Sequence, residues 1–410
     1  MSDGKYDYIK QRKAIAHWIL MHEQPLNAIK NYGFTFMFKV NLPQFEKDSR
    51  AMAKNDVITV YDIEKKKLQL MLRTINKISL TTDIWKSKVQ KVSYMCVTRH
   101  FVDPNWQLQK RVYSFMHLPP PHIGVDNIDG VMKFTKDWGI EHKIFTISVD
   151  NASNNDVVVR IAKETFSRSH KLPLGGKLFH VRCTAHILNL VVQDGLSIIK
   201  TGVDDVRNSV RFINQFESRL LKFSEIVHHL GNAVKKLILD CVTRWNSTYE
   251  MLVLAIKVKD TFPIFAQTEP SYKCCSSEDW SKIEHVLSIL EVFYEATQVI
   301  SRTNYPTFNV FLGVVWRVKH VLNEHEFHHE ELIRDMNEKM KTKFDKYWGD
   351  CNLMMSIGAI LDPRYKMRLV DFAFNQIYNA NDARINVMKV RDALHDSFYE
   401  YLEIDNMKTR

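Results

Sequence analysis

A chain of 410 residues, 45% hydrophobic and 25% charged, has globular proportions and room for two or three domains, which excludes a disordered or fibrous polypeptide. Its 57 Lys and Arg against 47 Asp and Glu leave a net charge of +10 and a pI near 9.1, so a polyanion is a more natural partner than an acidic surface would allow. The six irregularly spaced cysteines give no disulfide framework and favour a reducing compartment; with no apolar signal core and no run of about 18 apolar residues, a soluble intracellular protein without a membrane partner is expected.

In chain order, residues 6 to 75 carry helical spacing, with Ile15, Trp18 and Ile19 on one face, a turn at Pro25-Leu26, an aromatic stretch from Tyr32 to Phe38 and a second helical run from Tyr61 to Ile75. From Ile78 the period changes to two. Segments 78–85, 93–102 and 106–116 read as strands of an antiparallel meander, with Asp103-Pro104-Asn105 as the second turn. A hinge at Gly124 leads to an amphipathic helix over 127–138, an apolar strand over 144–149, a helix over 155–166 and a short run over 177–181. The order β-β-β-α-β-α-β matches a ribonuclease H-like plan. After Val181 the chain reads as helices, broken at Gly231, Pro263, Pro270, Pro306 and the Asp362-Pro363 turn.

The expected class is therefore α/β plus α: a short helical region (1–76), a ribonuclease H-like mixed sheet with helices (77–200), a large all-helical insertion domain (201–310) and a further helical segment (311–410). Asp83, in Thr82-Asp83-Ile84-Trp85, and Asp150, in Val149-Asp150-Asn151, both stand at strand ends, where one sheet can bring them together. Phosphoryl transfer with divalent metal needs two or three carboxylates in that position, whereas isolated strand-end aspartates more often cap turns.

Other residues invite chemistry. Arg244-Trp245 suits an indole stacked on an unpaired base with the guanidinium on phosphate, or equally a core tryptophan beside a salt bridge. Cys183 and His186 share a helix face and form a Cys-x-x-His pair, but a structural zinc needs four ligands; His180 adds one, and no structural zinc is expected. His325-Glu326-Phe327-His328-His329 spells the zinc-protease pattern, yet lies among charged residues and reads as a solvated linker. Lys65-Lys66-Lys67 reads as the wet face of a helix, and Asp362-Pro363-Arg364 as a structural turn.

Six blocks in order carry a resemblance to a known family: Thr82-Asp83-Ile84-Trp85, Val149-Asp150-Asn151-Ala152-Ser153-Asn154, Arg182 to Leu190, Thr243-Arg244-Trp245-Asn246-Ser247-Thr248, Tyr305-Pro306-Thr307 and Leu361 to Lys366. Over nearly its whole length the chain resembles the hAT transposase superfamily, in particular the plant sleeper-type domesticated proteins. The resemblance implies that Asp83 and Asp150 are the first two carboxylates of an Asp-Asp-Glu triad that takes Mg²⁺ or Mn²⁺. It implies that Trp85 and Trp245 lie near flipped or distorted bases, and that Cys183 and His186 shape the site or touch DNA. It further implies a nuclear location and DNA as partner, with no small-molecule substrate.

Two parts of the family pattern are not found in these 410 residues: a BED-type zinc finger, and the dimerisation region whose Ser-Glu-Arg motif supplies the third carboxylate. The expectation is a transposase-derived DNA-binding protein with an incomplete triad, monomeric by default and not competent for transposition by itself. The alternative is an active metal-dependent transposase or nuclease completed by another acid, with Glu291 and Glu295 as candidates.

Overall fold

The computed structural model describes residues 6–87, 89–118, 124–151, 155–232, 236–302, 305–348 and 353–408. Ala152, Ser153, Asn154 and Cys351 thus lie outside the described residues. The chain begins with helices α1 (Tyr8–Met21), α2 (Tyr32–Asn41) and α3 (Arg50–Arg73). Asp7 caps α1 by accepting from the Lys10 N–H (3.0 Å), and Ser49 caps α3 by accepting from Met52 (3.1 Å). The Ser49 cap starts α3 well before Tyr61, where apolar spacing alone marks it. Ile15, Ile19, Ile29, Phe45 and Ala53 form a small core, and Phe34 and Phe38 of α2 extend it by packing on Trp18 (5.1 Å) and Phe45 (4.9 Å).

Strands β1 (Ile78–Lys86), β2 (Ser93–Val102) and β3 (Leu108–Leu118) form the antiparallel meander. β3 starts later than the pattern suggests. Trp106 belongs to the turn, at φ +61° with its ring 88% exposed, because the Asp103 carboxylate accepts from the Asn105 (2.9 Å) and Gln107 (3.0 Å) N–H groups and closes the loop around it. Helix α4 (Gly124–Asp137) leads to β4 (Ile144–Val149), and α5 (Asn155–Ser169) leads to β5 (His180–Arg182). The sheet order is β3-β2-β1-β4-β5, with β1, β4 and β5 mutually parallel. This is the ribonuclease H-like mixed sheet. One face buries Leu80, Met95, Val97, Ile147 and Val149 under α4 and α5. Gly130 of α4 lets that helix approach β3, since a Cβ there would stand 2.8 Å from the Met116 sulfur.

Eleven further helices are described: α6 (Thr184–Leu196), α7 (Lys200–Asn214), α8 (Glu217–His229), α9 (Trp245–Lys257), α10 (Thr261–Thr268), α11 (Ser277–Ile300), α12 (Phe308–Glu324), α13 (Glu331–Trp348), α14 (Leu353–Ile360), α15 (Lys366–Ile377) and α16 (Ala380–Lys408). Gly231, at φ +73°, ends α8 in the left-handed conformation. Pro263 does not break the chain: it sits in the first turn of α10, where its missing N–H has no intrahelical acceptor to lose. A continuous core from Val181 to Met355 joins α6 through α14, with Val206, Leu252, Phe262, Phe293, Met336 and Phe344 fully enclosed. The last helix returns to the sheet domain, where the Glu400 carboxylate accepts from the Leu174 N–H (3.0 Å) and the Lys77 ammonium donates to Tyr401 (2.6 Å).

Candidate metal and nucleic-acid site

Asp83 lies on β1 opposite Cys96 of β2, and Asp150 directly follows the last residue of β4. Thr81 pairs with Ser148 in the parallel β1–β4 ladder. That is the last pair of the ladder, and Asp83 and Asp150 each stand two residues further on, at the carboxyl ends of adjacent parallel strands. Open α/β sheets bind ligands at that edge. Asp83 is exposed and Asp150 is partly buried. The Asn155 amide, at the start of α5, donates both to the Asp150 carbonyl (3.1 Å) and to its carboxylate, which holds the side chain at the sheet edge.

The start of α6 is tied to the same place. The Cys183 N–H donates to the Val149 carbonyl (3.3 Å), and the Asn151 amide donates to the Cys183 carbonyl (3.1 Å). Burial pushes the Cys183 thiol up, and the negative charges of Asp150 and Asp83 push it the same way, so this thiol lies within electrostatic reach of both carboxylates. It is thereby a poor metal ligand, since ligation needs the thiolate. Burial also pushes His180 down to about 4, and the Arg182 cation adds to the effect. Among the described residues no three His, Cys, Asp or Glu side chains are arranged to hold one ion.

A hard divalent cation, when bound, would neutralise carboxylate charge and polarise a phosphate oxygen. The oxygen donors present fit such an ion: two carboxylates at the ends of adjacent parallel strands, with the buried Asn151 Oδ1 next to Asp150 lacking a hydrogen-bond partner.

The other expected residues divide. Trp85 is 44% exposed, on the same strand face as Asp83, and Arg244 is an exposed N-cap of α9. His186 is half-buried in the first turn of α6. Trp245 requires correction: it is only 2% exposed, enclosed in the helical core with Tyr249 and Tyr294 edge-on at 6.3 and 6.5 Å, and offers no stacking surface to a base. Glu295 is paired with Arg317 (2.6 Å), and both it and Glu291 act on Tyr249 of α9, within the helical part of the chain. The His325 motif is not one helix face: His325 caps α12, Glu326 lies in the turn beyond and pairs with Lys341 (2.6 Å).

Sequence reasoning missed the neighbours of Trp85. Tyr94 of β2 and Phe115 of β3 meet it on one sheet face, with His117 of β3 against Tyr94, and only the alternation of Phe115 with His117 hinted at it. It also missed an adjacent groove of about 480 Å³ walled by Lys77, Lys110, Arg182 and Arg302, with no Asp or Glu in its lining.

Three family models match the chain in succession: the ZBED1 RNase-like domain over residues 81–178, the ZBED1 RNase-like helical domain over 181–289, and the hAT-like transposase, RNase-H fold, over 309–401. The chain belongs to the hAT transposase-like family. Within it, the chain is 32% identical over 405 residues to zinc finger BED domain-containing protein RICESLEEPER 2 of Oryza sativa subsp. japonica, covering 98% of this chain and 56% of that protein. It is 33% identical over 383 residues to a putative AC transposase of Zea mays, covering 91% of this chain and 47% of that protein. With DAYSLEEPER of Arabidopsis thaliana it shares 30% identity over 398 residues, 96% of this chain and 57% of that one. This hAT-like chain therefore spans about half the length of the curated relatives it matches.

Proposed function

We propose that the chain is a transposase-derived, nuclear DNA-binding module in which Asp83 and Asp150 together hold one Mg²⁺ or Mn²⁺ ion, and that these residues alone do not make a complete hydrolytic centre. The observation that supports this reading is the placement of Asp83 and Asp150 at the carboxyl edge of the sheet, each two residues past the last β1–β4 pair and both acting on the Cys183 thiol. The incomplete centre follows from the chemistry, since two carboxylates supply fewer ligands than metal-assisted phosphoryl transfer uses. With two carboxylates, the attacking oxygen is poorly positioned, and misplacement of reacting atoms costs orders of magnitude in rate.

DNA binding is supported by the net charge of +10, by Lys77, Lys110 and Arg302 in the groove beside the site and by exposed Arg244. Lys and Arg contacts to phosphate release counterions, so affinity falls as salt rises. Fluorescence anisotropy with labelled duplex DNA across a salt series tests this directly. The expected result is a steep loss of affinity with salt; undetectable or salt-insensitive binding would refute the reading. A parallel incubation of nicked and hairpin DNA with Mn²⁺ is expected to leave the DNA intact. Products that disappear in Asp83→Ala and Asp150→Ala would instead establish an active nuclease.

A further inference from the structure

One face of the sheet is closed by α4 and α5; the opposite face differs in chemistry. Paired residues on neighbouring strands point to the same side, so Lys110, His100, Ser79 and Thr146 form one row across β3, β2, β1 and β4. Thr98, Thr81 and Ser148 belong to the next row. Strands β1 and β4 thus turn Leu80, Ile147 and Val149 toward α4 and α5, and four hydroxyls, those of Ser79, Thr81, Thr146 and Ser148, the other way. A sheet face that seats a helix is apolar. This one is instead the floor of the groove of about 480 Å³, whose far wall is built by Ile300 at the end of α11, Tyr305, Phe308 at the start of α12, and Met355 of α14.

The floor can form hydrogen bonds without adding charge. Thr81 Oγ1 is hydrogen bonded to His100 Nε2 (3.1 Å), and burial, reinforced by the Lys110 cation, pushes His100 below its ordinary value, so its ring is neutral at pH 7. Among the cations of the wall, Arg182 is paired with Asp156 (3.2 Å) and Lys77 donates to Tyr401 (2.6 Å). Lys110 is exposed, and Arg302 gives one of its five donors to the Tyr305 hydroxyl.

These features narrow the ligand. Hydroxyl groups both donate and accept, which matches the hydroxyls of a sugar, while Lys110 and Arg302 match a phosphate. An apolar wall with the Tyr305 ring, 42% exposed, suits a flat heterocycle. The volume is that of a small-ligand pocket and is too small for a duplex. Thr146 and Lys110, at the ends of their row, stand three strand spacings or roughly 14 Å apart, which one nucleotide and the reach of a lysine side chain fill.

We propose that this groove binds a free ribonucleoside monophosphate, with its ribose on the Ser79, Thr81 and Ser148 hydroxyls and its phosphate toward Lys110 and Arg302. The inference stands apart from the DNA-binding reading and shares with it only these two cations.

The test is calorimetric titration of AMP, GMP, CMP and UMP into the full chain, with inorganic phosphate and the 2′-deoxy forms as comparison probes. At least one of the four ribonucleotides is expected to bind in a one-to-one ratio, about tenfold tighter than phosphate, with its 2′-deoxy form about fivefold weaker. Lys110→Ala and Arg302→Ala should each weaken that nucleotide about tenfold, and Ser79→Val and Ser148→Val about fivefold, with thermal midpoints unchanged. Binding of none of the four, or binding unaltered in every variant, would overturn the inference. Phosphate binding as tightly as the nucleotide, or the deoxy form equalling it, would leave only an anion site, and the inference falls. A chain that binds duplex DNA but no nucleotide loses this inference alone; one that binds the nucleotide but not DNA keeps it and loses the DNA-binding reading.

Discussion

Asp83 and Asp150, 67 positions apart in sequence, each stand two residues beyond Thr81 and Ser148, the last pair of the parallel β1–β4 ladder. The meander places Asp83 by pairing β1 with β2, and the α4 crossover places Asp150 by returning β4 alongside β1. Cys183, after β5, feels both charges, which makes the edge a meeting point of three segments.

The DNA-binding reading gives Arg244 a measurable share. It is exposed at the N-terminus of α9, and Arg244→Ala is expected to weaken duplex binding uniformly across sequences and to lower the salt slope by about one contact. Anisotropy titrations at several salt concentrations check this. An unchanged slope would remove Arg244 from the interface.

His180 makes stability depend on pH. Burial and Arg182 hold it down at about 4 from an ordinary 6.5, so the fold favours neutral imidazole and the unfolded chain takes up the proton first. Stability is therefore fully present above about pH 6.5 and declines as pH falls toward about 4. Urea unfolding at pH 7 and pH 5 should show His180→Gln losing less stability over that interval than the wild type, by about 1–2 kcal/mol. Identical losses in the two proteins would contradict the assignment.

Asp240 anchors the segment before α9. Its side chain is fully buried and takes two bonds from Arg207 (2.8 and 2.7 Å) and one from Thr248 (2.7 Å). Burial pushes this carboxyl up, but the bonds from Arg207 and Thr248 outweigh it and hold it below the usual range. Its contribution is present at neutral pH and is lost only as acidification passes below the ordinary carboxylate range. Asp240→Ala leaves the largely buried Arg207 cation with Asp204 as its remaining carboxylate partner and should cost up to about 3 kcal/mol in denaturant unfolding at pH 7.

Arg99 behaves in the opposite sense. It is fully enclosed on the core face of β2, its guanidinium nitrogens have no hydrogen-bond partner, and burial pushes it down to about 9. The Tyr113, Trp138 and Phe134 rings cage it, with centroids 2.9, 4.5 and 5.8 Å from the guanidinium carbon, and supply a cation–π contact. That contact is weaker than the cost of dehydrating an unpaired charge, so Arg99→Met is expected to raise stability by about 1–2 kcal/mol. A destabilised variant would show that the aromatic cage dominates.

Much of this was legible in the chain because local pattern and global topology agree. The two-residue period from Ile78, the apolar run ending at Val149 and the single crossover helix between them were enough to bring Asp83 and Asp150 to one edge. What failed depended on environment. Arg-Trp reads the same whether the indole is solvated or, as for Trp245, enclosed; the left-handed turn at Trp106 is imposed by the Asp103 carboxylate, not by tryptophan's own preference. The plaque of Trp85, Tyr94 and Phe115 exists only once strand register is known, since the three residues lie on three strands.

The shared cation is the claim on which the proposed site stands. Titration of Mn²⁺ into the wild type and into Asp83→Ala and Asp150→Ala, followed by electron paramagnetic resonance of the free ion, measures it most directly. The account predicts one site in the wild type that disappears in both single variants. Equal Mn²⁺ uptake by all three proteins would contradict it.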